Sequence, residues 1–155
     1  MAKFFKVSDL DVEILIDVAI KAFQEDKIKY GVIPPEIDTI EWHVANMVNG
    51  MYYKIVLNDN IVGAINLYDL GNNSVRIGSI FIDPEYQNQG IGTEAMKFIE
   101  NKYPNTRKWS LDTPYQNYRN HYFYEKHGYV KVDEIKPTRG IDFRVYEYLK
   151  LTNEN

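Results

Sequence analysis

Ile80-Phe81-Ile82-Asp83-Pro84-Glu85-Tyr86-Gln87-Asn88-Gln89-Gly90-Ile91-Gly92-Thr93 is the stretch from which the rest of this chain can be read. Its three apolar residues fit a buried strand, and Asp83-Pro84 marks a tight turn. Gln87-x-x-Gly90-x-Gly92 then opens a helix predicted over Gly90–Tyr103, with Ile91, Ala95, Phe98 and Ile99 on one face. A helix start leaves backbone N–H groups without intrahelical partners, and the helix dipole makes that end partly positive. Glycine at 90 and 92 removes side-chain bulk, so phosphate oxygens can approach those amides. The residues therefore predict a backbone cradle for phosphate or pyrophosphate over Gln87, Asn88, Gln89, Gly90, Ile91, Gly92 and Thr93, and leave the ligand open.

Two nucleotide motifs compete for this stretch. The P-loop fails because no Lys-Ser/Thr follows the glycines. The dinucleotide fingerprint comes closer: Gly90-Ile91-Gly92-Thr93-Glu94-Ala95 fits Gly-x-Gly-x-x-Ala, and Asp112 follows at about 20 residues. That motif, however, places its first glycine directly after the strand and opens its domain. Here Asp83–Gln89 intervenes, and some eighty residues come first.

Outward from the cradle, the chain alternates periodic segments with turns. Upstream, Phe4–Val7 reads as a strand, and Ser8 as an N-cap with Asp9 and Asp11 in the first turn. Val12, Leu15, Ile16, Ala19, Ile20 and Phe23 form a helical apolar stripe. Pro34-Pro35 breaks the chain before a shorter helix over Ile40–Val48. Met51–Leu57 and Ile61–Leu67 are strands joined at Asn58-Asp59-Asn60, and Gly71-Asn72-Asn73 turns into a third run, Val75–Ile82. Downstream come a strand at Lys108–Leu111 and a helix over Asn117–His127 closed by Gly128. Strands at Tyr129–Val132 and Phe143–Leu149 finish the chain, with Lys136-Pro137-Thr138-Arg139-Gly140 turning between them. The order β-α-α-β-β-β-α-β-α-β-β predicts an α/β fold of the α+β type. It implies one domain over residues 1–155, with a mixed sheet and helices on both faces.

Composition sets the outer bounds. With 45% hydrophobic and 26% charged residues, the chain is of ordinary globular type. There is no cysteine, so disulfides, thiolate metal sites and a cysteine nucleophile are all excluded, and three histidines alone suggest no metal site. The absence of cysteine, of a long apolar run and of a signal-like start predicts a cytoplasmic protein with no membrane partner. A net charge of −4 disfavours nucleic acid. That charge is uneven: residues 1–69 hold eleven acids and six bases, and residues 70–155 hold eleven acids and twelve bases. A polyanion suits the second half better, and a cation the first.

A second motif joins the cradle to a family. Asn117-Tyr118-Arg119-Asn120-His121-Tyr122-Phe123-Tyr124-Glu125-Lys126-His127-Gly128-Tyr129 follows a later strand. Together with Gln87–Gly92, which fits Gln/Arg-x-x-Gly-x-Gly/Ala, it resembles the GCN5-related N-acetyltransferases (GNAT). That family's later helix starts at an Asn and ends in Tyr-x-Lys-x-Gly-Phe. Asn120 stands where alanine is common and Tyr129 where phenylalanine is usual. The two motifs cover about a sixth of the chain, and their strand context extends the resemblance over Met51–Leu149. The first 50 residues match only in element order.

The resemblance implies a mostly antiparallel GNAT-like sheet and an acetyl-CoA co-substrate. Amides of Gln87–Thr93 would hold its pyrophosphate, and the backbone of Ile80, Phe81 and Ile82 would pair with the pantetheine arm where the sheet splays. Asn117, Asn120 and Tyr124 share one face at i, i+3 and i+7, so the later helix would line the other wall. Transfer of acetyl from the thioester needs a neutral amine, yet a lysine-like amine is only about one part in 2,500 neutral at pH 7. The departing thiolate, with a pKa near 8.5, needs a proton, and the family motif assigns that role to Tyr124 among the chain's thirteen tyrosines. Relatives often use a glutamate on the strand before the cradle as general base. Val75–Ile82 has no carboxylate, which leaves Asp69, Asp112, Glu41 and His43 as candidates. His121 and His127 read as ordinary helix residues. Without cysteine, transfer should be direct and not through an acyl-enzyme. Glu25, Asp26, Glu36, Asp38 and Glu41 form an acidic segment suited to attracting an amine. A small-molecule amine is thus expected ahead of a protein amine as acceptor, and a homodimer stays open. The competing reading is a non-catalytic acyl-CoA-binding sensor or partner-docking module.

Overall fold

A computed structural model describes residues 1–31, 36–136 and 143–152. The turns expected at Pro34-Pro35 and Pro137-Thr138-Arg139-Gly140 lie outside the described residues. The elements run β1 (Lys3–Lys6), α1 (Val12–Tyr30), α2 (Ile40–Asn49), β2 (Tyr52–Leu57), β3 (Asn60–Gly71), β4 (Ser74–Ile82), α3 (Ile91–Lys102), β5 (Lys108–Pro114), α4 (Tyr118–Lys126), β6 (Val130–Ile135) and β7 (Val145–Leu151). Short 3-10 turns at Asp9–Asp11 and Pro84–Tyr86 precede α1 and α3. The expected order holds throughout, and the differences are of extent. The first helix runs 19 residues to a left-handed Gly31 at φ 73°, well past the apolar stripe that predicted it. Ser8 caps the 3-10 turn instead of α1, in a reciprocal box with Asp11.

Contacts divide the chain into two compact units, Met1–Tyr68 with Ser79–Lys102, and Asp69–Gly78 with Tyr103–Asn155. In the first unit the strand order is β1-β2-β3-β4, and in the second β4-β5-β7-β6. β3 and β4 run through both, giving seven strands in the order β1-β2-β3-β4-β5-β7-β6. β4 and β5 are parallel, and the other registered pairs, β1–β2, β2–β3, β5–β7 and β6–β7, are antiparallel. The two tight hairpins follow from their turn residues. Asn58 and Asp59 sit at φ 50° and 65°, and Asn72 and Asn73 at 53° and 59°. Two consecutive left-handed residues make the type I′ turn whose twist matches its flanking strands, and Asn and Asp tolerate that region best after glycine.

Strand alternation divides the core of the first unit. Phe81 packs with Leu15, Val18 and Ala19 of α1 and with Tyr52, whereas Ile80 and Ile82 on the opposite face pack with Ile91 and Ala95 of α3. Helices thus cover both faces of this part of the sheet. Of the predicted stripe on α1, Ile20 is half exposed, and Val18 takes its place in the core. In the second unit, Trp109 and Leu111 of β5 are buried, as are Tyr124, Tyr129 and Tyr148, which meet ring to ring.

Candidate functional site

The cradle belongs to the first unit. Asp83 starts the descent from β4: its N–H donates to Val62 O at 2.7 Å, and its carboxylate accepts from Glu85 N at 3.0 Å. Pro84 fits the first position of the 3-10 turn, where its missing N–H costs nothing. Gln87 reaches back, donating from Nε2 to Ile82 O at 3.0 Å, which ties the loop to the strand end. Gln89 likewise donates to Glu85 O. Asn88 at φ 62° and Gly90 at φ 80° are both left-handed. The first backbone bond into α3 runs from Glu94 N to Gly90 O at 3.0 Å. The N–H groups of Ile91 and Gly92 precede that bond, so the helix offers them no partner. A side chain added at Gly90 would meet no atom within 4 Å. The loop is therefore fastened by its side chains while the backbone around Gly90 faces open space. That combination fits an anionic group at the helix start.

Gly63 on β3 is a feature the sequence reading passed over. A Cβ there would lie 2.2 Å from the carbonyl oxygen of Phe81. Next to it, the β2–β3 register slips between Ile55 and Val56, a bulge that makes Val62 the extra residue. Only glycine allows β3 to approach the strand end that leads into the cradle. A glycine within an otherwise apolar strand is itself the signal for such close approach.

α4 belongs to the second unit. Asn117 is its N-cap, with Oδ1 accepting from Asn120 N at 3.1 Å. Asn120 donates from Nδ2 to Thr113 Oγ1 at 3.2 Å. Both amides are thus partly engaged, Asn117 in capping the helix and Asn120 in fixing it to β5. Tyr124 is 6% exposed. Burial pushes its phenol well above the usual range, and the nearby Asp112 carboxylate adds to the effect. Asp112 itself pairs with Arg76 of β4 at 2.9 Å, and Arg76 also binds Glu147 at 2.8 Å. The charge on β4 is therefore a cation held by two carboxylates. His121 donates from Nε2 to Pro114 O and stacks on Tyr146, while His127 packs edge-on against Phe123.

The candidate bases fare unequally. His43 is fully buried, with Nε2 donating to Ile37 O at 2.7 Å and Nδ1 accepting from Tyr52 O–H at 2.8 Å. Burial lowers its pKa despite the bond to Ile37 O. A proton on Nδ1 would reverse the Tyr52 bond and bury a charge without a counter-ion at either ring nitrogen, so His43 serves as a core polar bridge. Asp69 is exposed and accepts from Gly71 N. Glu41 is exposed and lines a cleft together with Glu36. Elsewhere in the acidic segment, Glu25 pairs with Lys29 and Asp38 is exposed.

Comparison with known proteins places these features. The family model described as Acetyltransferase (GNAT) family matches residues 16–129. The curated protein YrkN of Bacillus subtilis is 36% identical over 95 residues, which cover 61% of this chain and 50% of that protein. The aligned part thus spans about half the length of that relative. Among solved structures, Ard1 from Thermoplasma volcanium superposes with a TM-score of 0.81 at 16% identity, covering 99% of both chains. The PaiA N-acetyltransferase of Thermoplasma acidophilum, solved in complex with coenzyme A, gives 0.76 at 22% identity over 98% of this chain and 99% of that one. These structures share the fold, and the family model spans both the cradle and α4: the chain belongs to the GNAT family of acetyltransferases.

Proposed function

We propose that the chain works as a single N-acetyltransferase domain, moving acetyl directly from acetyl-CoA to an amine, with a small molecule as the preferred acceptor. The observation that carries this reading is the loop Gln87–Gly90. It is pinned by its own side chains, left-handed at Asn88 and Gly90, and open at the start of α3. In this proposal the segment Gln87–Thr93 holds the pyrophosphate, chiefly through the N–H groups of Ile91 and Gly92 because Gln87 N already donates to Pro84 O, and the backbone of Ile80–Ile82 orients the pantetheine arm. Asn117 and Asn120 contribute whatever amide capacity their helix and β5 bonds leave free.

Tyr124 is the proposed donor to the leaving sulfur. Its raised pKa keeps the phenol protonated through the working range. Full transfer of that proton to a thiolate of pKa near 8.5 runs uphill. The phenol therefore stabilises the developing thiolate as a hydrogen-bond donor, in the manner of an oxyanion-hole donor. No carboxylate stands on β4, so in this reading the attacking amine passes its proton to solvent water, directly or by way of an exposed carboxylate such as Asp69, Asp112 or Glu41. The same absence of a carboxylate on β4 favours the second reading, an acyl-CoA sensor without turnover. Thermal shift with acetyl-CoA and with NADH, followed by CoA release across a panel of amines, separates the cases. Stabilisation by acetyl-CoA alone, with amine-dependent release, supports transfer. Stabilisation without release supports the sensor, and a preference for NADH refutes both.

A further inference from the structure

Asp112 on β5 and Glu147 on β7 are register partners, so two carboxylates stand opposite each other on neighbouring strands of the second unit. Like charges in that position repel. Arg76 of β4 resolves the conflict. Its guanidinium takes Glu147 as a fork, Nη1 donating to Oε2 at 2.8 Å and Nη2 to Oε1 at 3.0 Å. Nη2 also donates to Asp112 Oδ2 at 2.9 Å, and Nη1 lies 3.4 Å from Ser110 Oγ. Glu147 thus fixes the guanidinium, and the guanidinium fixes one oxygen of Asp112. Two buried tyrosines of the same unit differ in how their hydroxyls are used. Tyr148, next to Glu147 in β7, donates its O–H to Glu125 Oε2 at 2.8 Å. The ring of Tyr124 meets that of Tyr148 at 6.3 Å, yet no hydrogen bond joins the Tyr124 hydroxyl to another described residue. A carboxylate is at hand all the same, because Asp112 is the charge that acts on the Tyr124 phenol. Asn120, one turn before Tyr124, is bonded to Thr113, the neighbour of Asp112.

We propose that Arg76 is a positioning residue for acetyl transfer, holding the Asp112 carboxylate so that the Tyr124 hydroxyl stays free to donate to the leaving sulfur. The proposal rests on the reading of Tyr124 given above. A phenol has one proton to donate. If Asp112 accepts it, as Glu125 accepts that of Tyr148, the sulfur loses its donor. A carboxylate competes well for that proton, since hydrogen bonds to charged groups are the stronger ones. The bond to Arg76 weakens this competitor by occupying one oxygen and offsetting its charge. Arg76 itself needs no contact with the reactants. A purely structural role, relief of the repulsion between Asp112 and Glu147, would leave the Tyr124 hydroxyl as it is when the cation is removed. The two roles therefore separate in experiment.

The test is carbon NMR of the full chain, isotope-labelled at tyrosine Cζ and free of ligand, beside steady-state kinetics. Tyr124→Phe and Tyr148→Phe assign two of the thirteen tyrosine signals, and Tyr148 marks where a carboxylate-bonded phenol resonates. Arg76→Met should move the Tyr124 signal downfield toward that of Tyr148, and adding Asp112→Asn should return it. The kcat of Arg76→Met should fall by about 10- to 100-fold, the worth of a hydrogen bond to a charged group, with acetyl-CoA Kd within about twofold of wild type. Should the two carboxylates unfold that variant, Arg76→Met with Glu147→Gln removes their repulsion, leaves Asp112 released, and should show the same shift. The proposal is overturned if the Tyr124 signal of a folded variant stays in place, if it moves equally with Asp112→Asn present, or if it moves while kcat does not change. A wild type that releases no CoA with any amine refutes the transfer reading instead. The Tyr124 signal needs no turnover, and it then still decides whether Arg76 keeps Asp112 off the hydroxyl.

Discussion

Gly63→Ala adds one methyl group at the tightest backbone approach found beside the cradle. An ideal Cβ at that position stands 2.2 Å from Phe81 O, whereas real Cβ contacts stay beyond 3.0 Å, so the two strands must part by about 0.8 Å. Both sides of the contact are backbone, so no rotamer change relieves it. The neighbouring bond from Asp83 N to Val62 O is 2.7 Å long, and a displacement of that size takes it out of hydrogen-bond range. Overpacking costs about 1–3 kcal/mol and the lost bond about 1 more. For a chain of 155 residues, each kcal/mol moves Tm by about 2–4 °C, so the melting point should fall by roughly 4–16 °C. Scanning calorimetry of Gly63→Ala beside Gly90→Ala is the assay. Gly90 is left-handed but uncrowded, so its alanine variant should lose only about 1–2 kcal/mol from backbone strain. A Gly63→Ala protein that melts with the wild type would refute the close approach and the strand geometry built on it.

The remaining predictions concern charge and catalysis. His43 is held neutral by burial, with its pKa below the ordinary 6.5. The unfolded chain therefore takes up a proton first as pH falls. The stability His43 contributes is complete above pH 6.5 and is lost as pH drops from there toward its folded value, at up to about 1.4 kcal/mol per pH unit. Urea unfolding between pH 7.5 and 5 should show this slope, and His43→Gln should flatten it. Tyr124→Phe keeps the ring and removes the donor, so kcat should fall by about 10²–10³ with little change in acetyl-CoA affinity. Because the phenol's raised pKa lets it keep its proton and donate a hydrogen bond, that deficit should persist between about pH 7 and 9. Equal kcat at neutral pH would make Tyr124 a packing residue.

Element order was legible because turn chemistry and periodicity agree along the chain. Asn58-Asp59 and Asn72-Asn73 can hardly be anything but hairpins, and the apolar faces of α1 and α3 are spaced unambiguously. Element lengths were less so. The last two turns of α1 carry Asp26, Lys27 and Lys29, whose charges hide a helix held by its left-handed Gly31 cap. The cradle was visible because glycines and a proline at fixed offsets leave few conformations open. The roles of polar side chains were hidden, since they depend on partners distant in sequence. His43 meets Tyr52 and Ile37, and Arg76 meets Asp112 and Glu147 across 36 and 71 residues. The i, i+3, i+4, i+7 face of Trp42, Ala45, Asn46 and Asn49 was readable as a pattern. Only the fold turns it into a cleft wall.

The central claim is that acetyl-CoA binds through the amides at the start of α3, and calorimetric titration of wild type and Gly92→Val tests it most directly. Valine at 92 sets branched carbons where a phosphate must approach the backbone, while Gly92 lies in the first turn of the helix, where the fold should tolerate the change. The account predicts saturable acetyl-CoA binding to the wild type, little for NADH, and at least a tenfold loss of acetyl-CoA affinity in a Gly92→Val protein that stays folded. Unchanged affinity in that folded variant would contradict it and place the phosphates elsewhere.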